Sequence, residues 1–576
     1  MKYLQKWYQK YNNCITNWIF PILLFFYPLT KVNQGIDVSD TTYSLGNYLF
    51  FNRLEGMWVI STYVSNVVGY LLTKLPFGET LLGMNIYTGL IVSLFVLVTY
   101  QILRKWMPEW IVFLAEIAAI GFMWIPTTIL YNYLTYVLFS LGALFLYKGL
   151  VEGRAKYLVI AGICLGCNAL VRVANIAQAA LIVCVWYYSF LQKEIVRESI
   201  KKTGYCVVGY IIGIIPPFAG ILIQYGFDGL LGMVRDLSAV QNADEGYSIG
   251  MMILMTVKAY ISTLKWVVFV VIGIFLGMVM FYCLKERWIL IKKLVYMGGI
   301  LVLLRFFWGR GMFSFRYYED YSSMYEWGMM GLYLALIACV YLMLGKGVSL
   351  QERLLGMISL VIISVTPLGS NNYTYQNINN LFVVAPVTLY AFVKLFRRRY
   401  SVEKRVLHFP WKAMAAVLGS MIFLQSAGFH SQFVFRDGMD GVKRNTRAEA
   451  PQVIKGMYTT EVNAADVGEL LLYIEDNCGE LTEAVYFGDC PGMTFLTGIP
   501  VAIDSSWPDL ESYAAGQFET ELMNLSATPL VIMRNIEKDS DAYTQKKEIL
   551  QDYMSVKHYE RVFENNGYTV YKPLEP

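Results

Sequence analysis

Apolar residues run in long blocks through the first three quarters of the chain and then give way to short alternations. A helix needs about 20 apolar residues to cross a bilayer core, somewhat fewer where the bilayer thins. Such runs fall at 14–30, 84–103, 109–127, 131–150, 156–171, 173–192, 203–226, 265–284, 291–309, 326–345, 353–368, 381–396 and 411–428. The pattern predicts an all-α polytopic membrane domain of about thirteen transmembrane helices over residues 1–430. Residues 431–465 are polar and read as a linker. Beyond them the period changes. A helix near 464–477, strands at 484–487, 530–533, 559–563 and 568–571, and helices near 508–523 and 541–553 predict a small α/β domain over 466–576.

Composition agrees with this division. Of 576 residues, 56% are hydrophobic and only 16% charged, against about 25% charged in soluble domains. Mean hydropathy is +0.45. A soluble globular protein and a disulfide scaffold are both excluded. Net charge is only +4 and no basic block stands out, so no nucleic-acid partner is expected. The charge is unevenly spread. Residues 431–576 carry 12 Lys and Arg against 24 Asp and Glu, whereas residues 1–430 carry 35 against 19.

Loop charges set an orientation. With Lys2, Lys6 and Lys10 in the cytoplasm, the basic turns at Arg104/Lys105, Lys148/Arg154, Lys193–Lys202, Lys285–Lys293, Lys346/Arg353 and Arg397–Arg405 all fall inside. The tail then lies outside, in a multi-pass protein of the plasma membrane with extensive lipid contact. Residues 57–73 are apolar enough to span, but a crossing there would turn every later basic cluster outward. They are expected outside, as an interfacial helix. The first apolar run lacks a small-residue cleavage site and reads as an uncleaved anchor. Cys478 and Cys490 share the exported tail, where an oxidising compartment would permit a disulfide. Three scattered histidines weigh against a His-based zinc site. There is no internal repeat, and little charge in mid-span, which both weigh against an ion-coupled transporter.

The chemistry concentrates in the first outer loop, Gly35 to Tyr48. Asp37 and Asp40 stand three residues apart, on one face of a helical turn. A carboxylate shielded at the membrane surface can act as a general base or hold a divalent cation against a phosphate. The competing reading is a cap, with Ser39 or Asp40 starting a helix that runs through Tyr43 and Leu45.

A short cytoplasmic N-terminus, one span, and then an outer loop with an Asp-Glu-x-Tyr-like motif resembles the membrane glycosyltransferases of the GT-C fold. These include the protein O-mannosyltransferase and lipid A aminoarabinose transferase types. Asp40-Thr41-Thr42-Tyr43 matches the Asp and the Tyr of the motif, with Thr41 where the Glu usually stands. Tyr131 and Asn132 open the fourth span at its outer end, where many members carry a second acid. The resemblance implies an inverting transfer of a sugar from a polyprenyl-phosphate donor to an envelope glycan, lipid or protein acceptor on the outer face. It implies Asp40 as base with Asp37 as the other candidate, and Tyr43, Tyr131 and Asn132 in substrate binding. It requires no cofactor and leaves room for a divalent cation.

The departing phosphate needs cations, and arginine suits it best. Arg172, Arg305 and Arg53 are the candidates, with Lys74, Arg310 and Arg316 as further outer-side cations whose plainer use is headgroup contact. Outer aromatics such as Trp58 and Phe306 fit an interfacial belt. Asp244, Glu245, Glu319 and Asp320 read as solvated loop acids. The Gly488-Asp489-Cys490-Pro491-Gly492 turn lacks the ending of a phosphate loop and reads as structural. Other classes stay open: a polymerase or ligase of lipid-linked glycans, or a transporter or flippase.

Overall fold

A computed structural model describes residues 11–574 except 54–60, 124–129, 244–247, 284–287, 314–315, 318–321, 370–371, 398–400, 403–404, 407–408, 438–440 and 480–481. The loop acids Asp244, Glu245, Glu319 and Asp320, and Trp58, lie outside the described residues.

A helix occupies each of the thirteen apolar stretches. Among the described residues eight are both long and apolar enough to cross a membrane: Tyr11–Lys31, Leu81–Leu103, Leu130–Glu152, Val173–Leu191, Val196–Arg235, Ile249–Tyr282, Ser322–Leu344 and Lys412–Gln432. The thirteen expected spans therefore exceed the helices that meet both criteria. Glu109–Phe122, Ala155–Val171, Leu350–Val365 and Val384–Arg397 are shorter, and Ile289–Gly309 carries Lys292, Lys293 and Arg305. The segment expected along the membrane surface holds the helix Tyr63–Thr73. That helix has 11 residues and rises about 16 Å, and residues 57–60 of the segment lie outside the described residues.

Local signals set several helix ends. Thr80 caps Leu81–Leu103 by accepting from the Gly83 amide at 3.1 Å. Ser349 and Glu352 form a capping box before Leu350–Val365. The helix beginning at Val196 contains Pro216 and Pro217 and breaks at Gly226, whose φ of 69° is non-helical. Small residues bring two helices together. Cβ atoms on Gly162 and Gly166 would strike the backbone at Cys206 and Tyr210, and those on Gly209 and Gly213 would strike Val159 and Ile163. Two small-xxx-small stripes thus face each other. The bundle buries one continuous apolar cluster from Leu24 to Phe433.

The tail sheet has four strands: β1 (Ala484–Phe487), β2 (Leu530–Arg534), β3 (Tyr559–Glu564) and β4 (Tyr568–Pro573), in spatial order β1-β2-β4-β3. β1 and β2 are parallel, and the other pairs antiparallel. Period-two alternation splits the side chains between two cores. Val485, Phe487, Val531 and Met533 face the helices Ala515–Met523 and Asp541–Val556. Tyr486, Ile532, Tyr568 and Val570 join a core shared with Ile36, Val38, Leu45 and Tyr48 of the first outer loop. The stretch 431–465, polar in sequence, adds Ala448, Ile454 and Met457 to that shared core. Its two-residue ladder Thr446–Arg447 with Tyr458–Thr459 continues onto the loop, where Gly35 N donates to Tyr458 O at 2.8 Å. Cys478 and Cys490 are both buried and not bonded to each other.

Candidate active site

The outer loop turns into a short helix, Asp40–Leu49. Asp37 makes that turn. Its Oδ1 accepts from the Ser39 amide at 2.8 Å and the Ser39 hydroxyl at 2.6 Å, and its Oδ2 accepts from the Thr41 amide at 2.8 Å. Thr42 Oγ1 donates to the Asp37 carbonyl. Asp37 is 4% exposed, and burial raises its pKa against the pull of these hydrogen bonds. Its oxygens are committed to the start of the helix, so it is a helix cap by geometry. The start expected at Ser39 or Asp40 is found, but the capping group lies two residues earlier.

Asp40 opens the helix and is half-buried. Arg436 Nη1 stands 2.9 Å from its Oδ2. Arg436 follows the last span and has a φ of 44°, a left-handed conformation rare for a long side chain. That turn aims the guanidinium at Asp40. Burial pushes the Asp40 carboxyl up, Arg436 pulls it down, and Asp37 and Asp489 push it up again, leaving it at about 6. A carboxylate poised there is ionised at neutral pH yet basic enough to take a proton in a transition state.

Asp489 belongs to the Gly488–Gly492 turn of the tail, which rests on the site helix. Gly492 N donates to Val38 O at 2.9 Å, and a Cβ on Gly492 would strike Thr42 Oγ1. Asp489 has a φ of 60°. Its amide donates to Asp509 Oδ2 at 3.0 Å, and Lys538 stands 2.8 Å from that oxygen and 3.7 Å from the Asp489 carboxylate. Trp507 from the same domain packs on Tyr43, ring centroids 5.6 Å apart.

On the bundle side, Tyr43 is raised in pKa, first by burial and then by Tyr131 and Asp40 beside it. Tyr131 lies beneath Arg172, whose guanidinium is 5.9 Å from the ring centroid and bonds to the Gly369 carbonyl. Asp40, Tyr43, Tyr131 and Arg172 thus follow one another across the site. Asn132 is adjacent, and its buried Oδ1 accepts no hydrogen bond among the described residues. A buried amide network locks the helices that carry these groups. Asn168 Nδ2 donates to the Thr135 carbonyl at 3.0 Å and to Gln178 Oε1 at 2.6 Å, while Asn175 Nδ2 donates to Thr135 Oγ1 at 2.7 Å.

Arg53 and Arg305 are placed elsewhere. Both are exposed, Arg53 in the turn after the site helix and Arg305 on Ile289–Gly309. No contact joins either to Asp40 among the described residues. Among the described residues no three His, Cys, Asp or Glu side chains converge on a metal position, Asp37 is spent on backbone amides, and Asn132 supplies no charge.

No protein-family model and no curated protein matches the chain. Two solved structures align over most of it. One is an oligosaccharyltransferase from Archaeoglobus fulgidus in complex with zinc and sulfate, at 12% identity and a TM-score of 0.47, covering 96% of this chain and 73% of that one. The other is the oligosaccharyltransferase AglB from Archaeoglobus fulgidus with an inhibitory peptide and a dolichol-phosphate, at 13% identity and a TM-score of 0.46, covering 99% and 75%. Likenesses this loose assign this chain neither a fold family nor an activity.

Sequence reasoning missed Arg436, Asp489 and Trp507. The Gly488–Gly492 turn carried a signal, since a glycine at each end of it marks a close approach of backbone. Nothing local marks Arg436, which is made relevant only by the pairing of Asp437 with the Ile36 amide at 2.8 Å.

Proposed function

We propose that this protein is an integral-membrane glycosyltransferase working at the outer face, with Asp40 as general base. The donor is a sugar on a polyprenyl phosphate, and the acceptor is an envelope hydroxyl on a glycan, lipid or protein. The observation that carries the reading is Asp40 itself: half-buried, tuned to about 6 and ion-paired to Arg436. The donor class rests on the likeness of Asp40-Thr41-Thr42-Tyr43 to the GT-C motif.

In the proposed reaction the acceptor hydroxyl gives its proton to Asp40. Its oxygen attacks the anomeric carbon, the bond from that carbon to the phosphate oxygen breaks, and lipid phosphate leaves with the bonding electrons. The anomeric centre inverts. Negative charge grows on the departing phosphate, and Arg436, paired with Asp40, and Arg172, over Tyr131, are the cations that would meet it. Tyr43, which is only half-buried, offers an aromatic face to a sugar, with the buried Trp507 packed behind it. The tail domain, by closing over the site helix, completes the acceptor side. Asp37 orients Asp40 through the helix start.

The test uses the full-length protein in nanodiscs with radiolabelled polyprenyl-phosphate hexoses, following release of lipid phosphate. Asp40→Asn is expected to lower turnover by about 10²–10⁴-fold with the fold retained. Full turnover by Asp40→Asn would sink the assignment of the base. Failure of every donor with the wild type would sink the donor class.

A further inference from the structure

A second polar feature lies where the first and last spans emerge. A cavity of about 600 Å³ is lined by Lys31, Arg316, Lys443 and Arg444, with Gln432 and Asn445 beside them. None of the described residues lining it is acidic. The cations come from three separate segments. Lys31 closes the helix Tyr11–Lys31, Arg316 precedes Ser322–Leu344, and Lys443 and Arg444 follow the helix that ends at Gln432.

Two of the cations are held in place. Lys31 Nζ donates to the Ser431 carbonyl at 2.8 Å. Next to it, Thr30 Oγ1 and His430 Nε2 lie 2.9 Å apart, so the two spans are fastened at this level. The Arg444 side chain is 4% exposed and is braced from behind by Asp437, at 3.3 Å. Arg316 and Lys443 are exposed and reach the cavity from its open side. Like charges gathered in one cavity repel, and an anion between them reverses the sign. Guanidinium forks, ammonium groups and side-chain amides are all donors, the set that recognises phosphate oxygens.

We propose that this cavity binds a phosphate group presented at the outer membrane boundary. The residues that end the first and last spans fix its depth, which is the level of lipid headgroups. The same chemistry is offered by a phospholipid headgroup and by a free phosphate ester. Neither Asp40 nor Arg436 lines this cavity, and the proposal stands whether or not the chain transfers sugars.

The test compares wild-type full-length protein with the double variant Arg316→Gln/Lys443→Gln. Both side chains are exposed, and the substitutions leave the Arg444–Asp437 pair and the Lys31 contact intact. Phosphatidylglycerol and phosphatidylcholine are titrated against each protein and bound lipid is counted by native mass spectrometry, with glycerol 1-phosphate as competitor. Phosphatidylglycerol is expected to bind about a hundredfold more weakly to the double variant, about tenfold per lost cation, with an unchanged melting temperature and a preference that fades as salt rises. Displacement by glycerol 1-phosphate supports a site that reads the phosphate alone. Displacement failing while the lipid preference persists supports the headgroup as the source. Binding of glycerol 1-phosphate without any lipid preference, again lost in the double variant, supports a soluble ester. Equal binding by wild type and variant, or no binding of either phosphate probe by the wild type, overturns the proposal.

Discussion

The helical bundle and the outer cap draw their cores from the chain differently. In the bundle the closest packing joins helices near one another in sequence: Leu130–Glu152 lies against Ala155–Val171, and that helix against the one starting at Val196, while the first and last spans also meet, Thr30 against His430. In the cap, Ile36, Val38 and Leu45 meet Ile454, Val467 and Ile532, more than 400 positions later. Asp437 ties the seam, accepting from Ile36 N, Thr459 Oγ1 and Asn463 Nδ2 while pairing with Arg444. The candidate site lies on this seam. Asp40 comes from the early chain, and two of the charges that tune it, Arg436 and Asp489, come from the late chain. A bundle can be complete while the chemistry is not.

The largest effect expected from breaking this arrangement is at Gly492. Gly492→Val drives a side chain into Thr42 Oγ1 and the Val38 carbonyl. It should cost about 2–3 kcal/mol of cap stability and remove turnover. Hydrogen exchange should rise at 484–496 and 36–49 while bundle amides stay protected. Adding Thr42→Ala should recover part of the loss, a coupling readable as a double-mutant cycle. Uniform loss of protection through the bundle would contradict the division of cores.

Electrostatic tuning of the seam gives a smaller and more specific effect. As a base Asp40 must be ionised, so kcat/KM should be level above its pKa of about 6 and fall tenfold per unit below it. Arg436 favours the ionised form and Asp489 opposes it. Arg436→Gln should therefore move the acid limb to higher pH, and Asp489→Asn should move it lower. Shifts in the same direction for both variants would remove Asp40 as the titrating group.

The smallest effect is expected inside the bundle. Glu116 is fully buried in Glu109–Phe122, and its carboxyl oxygens have no hydrogen-bond partner among the described residues. Glu116→Gln keeps the shape and removes an ionisable group, so turnover should hold and the melting temperature should stay level or rise. A sharp loss of turnover would give the bundle a chemical role that the comparison denies it.

What could be read in advance follows the same line. Span positions depend on local runs of apolar residues, and a helix stands at each. The tail alternation was equally local, and its strands fall where the period changes. Asp37 and Asp40 could not be separated by spacing, because what distinguishes them is where their hydrogen bonds go. Ser39 and Thr41 take up Asp37, and Asp40 is left for Arg436. Arg172 was legible as an outer-side arginine, but so were Arg53 and Arg305, and the network around Asn168 and Asn175 is what holds the helices that set Arg172 over Tyr131. Arg436 and Asp489 were illegible because a pairing across some 400 residues leaves no periodic trace.

The Asp437 node also imposes an order on biosynthesis. Ile36 and its partner are 401 positions apart, and a ribosome adding about 5–20 residues per second takes tens of seconds to cover that interval. Through that time the loop bearing Asp40 waits, membrane helices assembling beside it, with nothing to dock against. A chain stopped short of residue 437 would carry the helices of the bundle and an outer loop whose Ile36 amide has lost its Asp437 acceptor.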